Sequence, residues 1–331
     1  MIKLFFILYF FLSYSVALSD NSASLNLRYE PIQPLTQPHG LNIEKVKLGK
    51  KLFNDPRLSH NNNLSCASCH NLQTNGADTH PLAIGRNNIT LNTNTLTVFN
   101  SSLNHQQFWD GRAHTLEQQI DFVLHSEKEF YSDWNQVIDK LNQDKTLRQQ
   151  FKKVYNDGIT ANSIRNAIAT FERTLITSNS RFDQYLLGDT DAINAQEKKG
   201  YRLFKSYGCV ACHQGKNIGG NMFMKLGLFG NYYSQKNNQY LGRYNVTKNA
   251  NDLFVFRVPS LRLVTLTPPY FHDGSIKTLT EAIQIMAKYQ LGRSIKEQHI
   301  NDIIAFLKTL PGDYLGESLY EKAHKKNKRK Q

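Results

Sequence analysis

Two five-residue stretches, Cys66-Ala-Ser-Cys69-His70 and Cys209-Val-Ala-Cys212-His213, hold all four cysteines of the 331-residue chain. Paired Cys-x-x-Cys motifs suit disulfides or a zinc centre, but a four-cysteine zinc site spaces its pairs by roughly 15 to 20 residues. These pairs begin at 66 and 209. The histidine that follows each pair decides the chemistry. Cys-x-x-Cys-His is the attachment sequence of c-type haem: two thiols add across the vinyl groups and the next imidazole binds iron. Two covalently bound haems are therefore expected, each inside its own small helical unit.

The flanking sequence repeats as well. Asn42-Ile-Glu-Lys leads to Gly49-Lys-Lys-Leu52-Phe53 before the first pentad, and Asn194-Ala-Gln-Glu197 leads to Gly200-Tyr-Arg-Leu203-Phe204 before the second. Asn194 and Glu197 have the spacing of a helix capping box. After each pentad comes Phe-x-Asp-Gly and then Thr-Leu, at Phe108–Leu116 and at Phe271–Leu279. Helix, pentad, loop, Phe-x-Asp-Gly, helix, twice over, predicts a mainly α chain of two tandem cytochrome c-like domains, residues 20–185 and 186–320.

The copies differ at one chemically decisive place. In the second, Thr278 and Glu281 again have capping-box spacing, and Leu279, Ala282, Ile283, Met286 and Tyr289 form one helical stripe with Gly292 just past its end. By itself Met286 reads as an adaptable core filler. Beside a haem it reads as the sixth iron ligand, which raises the potential. Met286 lies 14 residues after His272, and the same count from Trp109 reaches Val123, which cannot ligate iron. One iron is thus expected to be closed and to relay electrons, and the other to be open to a small oxidant such as hydrogen peroxide.

The ends carry different signals. MIKLFFILYFFLSYSVALSD has Lys3, an apolar run from Leu4 to Leu12, and Ala17 and Ser19 at the −3 and −1 positions of a cleavage site. Residues 1–19 read as a secretory signal peptide, with an uncleaved anchor as the rival reading. The net charge of +13 invites nucleic acid, but export excludes that partner, and residues 321–331 alone hold six Lys or Arg against one Glu. That basic tail is expected to be solvated and disordered.

The stretches SCASCHN, NTLTVFN, QFWDGRA, GCVACH, VFRVPSLR and PPYFHDGS with its following IMAKYQLGR resemble the bacterial dihaem cytochrome c peroxidases, over essentially the whole mature chain. The resemblance implies an exported, periplasmic enzyme that reduces hydrogen peroxide to water, with electrons from a small c-type cytochrome or copper protein. It implies a peroxidatic haem on His70 in the N-terminal domain and an electron-entry haem on His213 and Met286 in the C-terminal one. It further places Trp109 between the haems, Glu129 as the distal acid-base group, Gln119 as a second distal polar residue, and His272 beside the second haem without binding iron. A calcium ion between the domains on Asn94, Thr267 and Pro269 is also implied, and the family is commonly dimeric. By local sequence alone Glu129 is a surface residue of SEKEF and Trp109 a packed aromatic. Two other classes compete: a plain dihaem electron carrier, which would close both irons, and a dihaem enzyme that oxidises a partner protein, which would carry Tyr in place of Met286.

One position departs from the pattern. Where relatives have a histidine 16 residues after the first haem histidine, binding iron in the resting state, this chain has Arg86. Guanidinium offers iron no lone pair. His80 is the nearby substitute ligand, against its reading as a surface loop residue. Arg86 itself is expected to serve as a cation for the departing negative oxygen.

Overall fold

A computed structural model describes residues 30–232 and 240–328. The signal-peptide stretch 1–19 lies outside the described residues. Helices carry most of the regular structure: α1 (Ile43–Phe53), α2 (Cys66–Cys69), α3 (Leu116–His125), α4 (Trp134–Asn142), α5 (Lys145–Val154), α6 (Ala161–Glu172), α7 (Arg181–Leu186), α8 (Ala195–Ser206), α9 (Tyr244–Thr247), α10 (Leu279–Ile285), α11 (Glu297–Leu307) and α12 (Leu319–Lys328). Strands are confined to short antiparallel pairs, β1 (Phe223–Lys225) with β2 (Val255–Arg257) and β3 (Asp313–Tyr314) with β4 (Glu317–Ser318). The mainly α expectation holds. Among the described residues no helix is long and apolar enough to cross a membrane.

The repeated sequence folds in repeated ways. Asn42 Oδ1 accepts from the Glu44 and Lys45 amides at 3.0 and 3.1 Å. Asn194 Oδ1 accepts from the Glu197 amide at 2.9 Å while Glu197 Oε2 accepts from the Asn194 amide at 2.8 Å, the reciprocal box expected there. Each cap of this kind contributes about 1 kcal/mol. α1 then crosses α6 at Gly49, where a Cβ would stand 1.9 Å from the Ala167 carbonyl oxygen, and α8 crosses α11 at Gly200, where it would stand 1.9 Å from that of Asp302. Only hydrogen fits at either contact. Gly200→Ala should therefore destabilise the protein by about 3 kcal/mol, the upper end for an overpacked core, because the obstacle is backbone. An unchanged thermal midpoint would show that this crossing is not tight in solution.

Two apolar cores result. Leu52, Phe53, Phe151 and Phe171 are central to the first, and Phe182, Tyr201, Phe204 and Phe306 to the second. The ends of the described chain cross between them. Ile32 forms a bridge with Gly215 and packs in the second core, as do Phe182 and Leu186 from either side of the 185/186 division. Fully buried Arg262 holds this arrangement: it pairs with Asp183 at 2.7 Å and donates to the Gln33 carbonyl at 2.7 Å. In the other direction Tyr314, edge-on to Phe99 with centroids 4.9 Å apart, and Leu319 pack in the first core.

The expectation of a disordered tail from 321 is corrected through residue 328, which ends α12. Glu321 in the first turn suits the helix dipole, and it pairs with Lys325 one turn on at 3.7 Å.

Candidate functional site

Each pentad forms one wall of an apolar cavity. Cys66, Cys69 and His70 face the first, and Cys209, Cys212 and His213 face the second. The four cysteines form no disulfide with one another, and burial pushes the Cys69 and Cys209 thiols each up to about 11. His70 Nδ1 lies 3.0 Å from the Gly76 carbonyl oxygen and His213 Nδ1 lies 3.3 Å from that of Ile218. A carbonyl only accepts, so Nδ1 carries the proton in both rings and Nε2 keeps its lone pair. Burial lowers both imidazole pKa values, His213 to about 4. Neutral rings with a bare Nε2 are what iron requires.

Between the cavities stand the duplicated loops. Phe108 and Phe271 share φ of 68°, and Gln107–Ala113 and Tyr270–Ile276 form matching antiparallel bridges. Asp110 and Asp273 each accept from the amide two residues on, at 3.1 Å. Positive φ in a non-glycine residue is strained and collects at functional sites. Here it aims the next side chains, Trp109 and His272. Trp109 faces both cavities, donates from Nε1 to the Asn94 carbonyl at 2.9 Å and meets the His272 ring edge-on at 6.3 Å. His272 is buried on the second cavity and stacks on Phe256 at 4.3 Å.

The helices after the loops give the asymmetry. α10 places Leu279, Ala282, Ile283 and Met286 on the second cavity, and α3 places Gln119 and Val123 on the first. The expected stripe is corrected at its end. From Met286 to Gln290 the chain makes a π-helical turn, which advances the face by an extra residue. Ala287 and Gln290 therefore line the cavity, while Tyr289 turns away to pack edge-on against Tyr232 at 5.3 Å. Gly292 follows at φ +62°, as expected.

Glu129 enters the first cavity from the loop after α3. Burial raises its pKa above the usual carboxylate range, against the lowering effects of Ser126 and Arg112. Arg112 is one cation that faces the same cavity. It pairs with Asp110 at 3.0 Å and lies 3.4 Å from the centre of the Phe108 ring. Arg86 is elsewhere, which corrects its expected role at the departing oxygen. Its amide donates to the Lys128 carbonyl at 3.0 Å, its Nε to that of Glu127 at 2.5 Å, and its guanidinium lies 4.2 Å from the Tyr131 ring centre. Gly85 has no room for a side chain, since a Cβ would meet the Lys128 carbonyl oxygen at 1.9 Å. Residues 85–86 thus clamp the loop that carries Glu129. Exposed His80 does not line the first cavity.

Asn94, Thr267 and Pro269 do come together, on a smaller cavity beside Trp109. Its lining offers neutral oxygens and no carboxylate among the described residues, and Arg257 lines it as well, so a hard cation held there would share the cavity with a buried guanidinium. Arg257 also reaches both large cavities. It is buried, and its guanidinium donates to the Phe108 carbonyl and to Asn104 Oδ1, each at 3.1 Å. A buried cation with no counter-ion among the described residues fits an anionic guest, which the propionates of haem would supply. Arg112 and Arg257 were missed in the sequence, although both lie inside stretches that carried the resemblance, QFWDGRA and VFRVPSLR.

A helical chain with two apolar cavities, each floored by a neutral histidine beside paired thiols, defines a two-centre haem protein. The family model of the di-haem cytochrome c peroxidases matches residues 43–191. The chain is 43% identical over 306 residues to the cytochrome c551 peroxidase of Nitrosomonas europaea, covering 91% of this chain and 90% of that one. It is 43% identical over 298 residues to cytochrome c peroxidase Ccp of Escherichia coli strain K12, covering 89% of this chain but 64% of the longer relative. A crystal structure of a MauG-like protein associated with microbial copper homeostasis superposes with a TM-score of 0.73 at 25% identity, over 90% of this chain and 95% of that one. The chain belongs to the di-haem cytochrome c peroxidase family.

Proposed function

We propose that the protein is an exported, periplasmic peroxidase with two covalent c-type haems in tandem cytochrome c-like domains. It takes hydrogen peroxide, two electrons and two protons to two waters, with electrons from a small c-type cytochrome or copper protein. The asymmetry of the two cavities carries this reading: Met286 lines one, whereas Val123, Gln119, Glu129 and Arg112 line the other.

When bound, one haem would supply iron chemistry for reducing peroxide and the other would store and relay electrons. Cys66 with Cys69 and Cys209 with Cys212 would tether them, His70 and His213 would hold the irons through Nε2, and Met286 would serve as a further ligand to the second. Glu129 takes a proton from the near peroxide oxygen and returns it to the far one, so that water leaves instead of hydroxide. Gln119 orients peroxide by its amide, and Arg112 favours negative charge as it develops. Trp109 gives the electron an aromatic path between cavities, and Asn94, Thr267 and Pro269 would hold a calcium ion beside that path. Steady-state peroxide turnover by the purified holoprotein, with reduced cytochrome c or a reduced copper protein as donor, tests the reading. Absence of turnover with both donors would overturn it.

The clamp by Arg86 extends the proposal to the resting state. With Glu129 held inward and no histidine besides His70 lining the first cavity among the described residues, the fully oxidised protein should show a substantial high-spin ferric signal and react with peroxide without prior reduction. Electron paramagnetic resonance decides. A wholly low-spin spectrum that turns high-spin in His80→Ala would defeat this and make His80 the gate.

A further inference from the structure

A second carboxyl faces the first cavity and takes no part in the steps above. Glu172, the last residue of α6, lines that cavity, is 5% exposed, and has no hydrogen-bond partner at Oε2. An unpaired carboxylate in such a place is costly, so the side chain favours its proton unless a positive charge stands in the cavity. In accord with this, burial and then the nearby Glu117 carboxylate push Glu172 up to about 8, with Arg173 opposing. Glu117 on α3 and Arg173 form an ion pair at 2.8 Å that is partly open to solvent, which gives protons a short way in. Cys66 on α2 also lies near Glu172, and once it tethers haem it no longer titrates. Farther round the cavity wall stand His70, Arg112, Glu129 and Arg257.

We propose that Glu172 is a redox-linked proton holder of the first cavity: it binds a proton when the haem held there gains an electron and releases it when that electron leaves. The inference rests on a haem occupying this cavity. In the forward step one electron from the donor protein enters the haem and one proton from solvent joins the Glu172 carboxylate; the reverse step frees both. An added electron makes the pocket more negative and favours the protonated acid. Linkage makes the effect reciprocal, so a protonated Glu172 eases reduction. Peroxide reduction consumes protons and electrons in equal number, and this arrangement stores one of each side by side.

Redox titration of the holoprotein at a series of pH values tests the proposal, with redox-difference infrared spectra as a second readout. The potential of the first haem should fall as pH rises, at most tenfold in electron affinity per pH unit. Glu172→Gln keeps the shape and cannot titrate, so it should flatten that slope and leave the second haem unchanged. The carbonyl band of a protonated acid, present in the reduced protein and lost on oxidation, should vanish in Glu172→Gln and persist in Glu129→Gln. An unchanged slope in Glu172→Gln, or a band that disappears with Glu129 instead, overturns the assignment. If Glu172→Gln fails to hold haem, Glu172→Asp keeps a titrating group, and a pH-independent potential in that variant overturns it equally. Neither readout uses peroxide, so a failure of the peroxidase reading would be seen separately, as absent turnover with an intact pH slope.

Discussion

Glu129→Gln should leave the spectra of both haems nearly intact and slow peroxide turnover by about 100-fold or more, the usual scale for a lost acid-base group. The amide fills the same space but moves no proton, so binding and electron entry survive. The pH dependence adds a sharper mark. Burial holds the Glu129 carboxyl above its ordinary value near ~4.3, and the residue must be ionised to accept the peroxide proton. Turnover per encounter should therefore rise with pH through a value above that of a free glutamate, and Glu129→Gln should lose this rise. Turnover near the parent level would move the proton to another group, with Gln119 excluded because an amide does not titrate.

Met286→His should keep the second iron six-coordinate but lower its potential by on the order of 100 mV or more, within the ~0.8 V range that axial ligands set. Imidazole favours ferric iron more than a thioether does. Redox titration should show the higher-potential wave moving down while the other stays in place. An unmoved wave would return Met286 to core packing. Because α10 ends and the π-helical turn begins at this residue, the variant also tests whether the extra residue in the turn serves to aim the ligand.

Much of this site was legible before the fold was known, for physical reasons. Pentads, caps and the Phe-x-Asp-Gly loops are local: their chemistry lies within about ten residues, and Asn194 with Glu197 formed the box that their spacing implied. The misses are long-range. Arg86 looked like a free cation, and only its contact with residues 127–131, some 40 positions on, turned it into a clamp. Tyr289 followed the 3.6-residue period until a π turn, which leaves no clear mark in sequence, rotated it away. Glu172 in the run FERT carried no signal at all, because its burial depends on how α6 meets α3 and α2.

The crossing of the chain ends has a consequence for how the molecule comes to be. A polypeptide made from its N-terminus releases Ile32 early, yet the aromatic cluster that receives it, with Phe306, arrives near the end. The first core, in turn, waits for Tyr314 and Leu319. Neither half can close until almost the last residues have emerged, so synthesis outruns compaction and both pentads stay accessible in an open chain. A gene cut between the halves would yield two fragments that each lack a piece of their own interior.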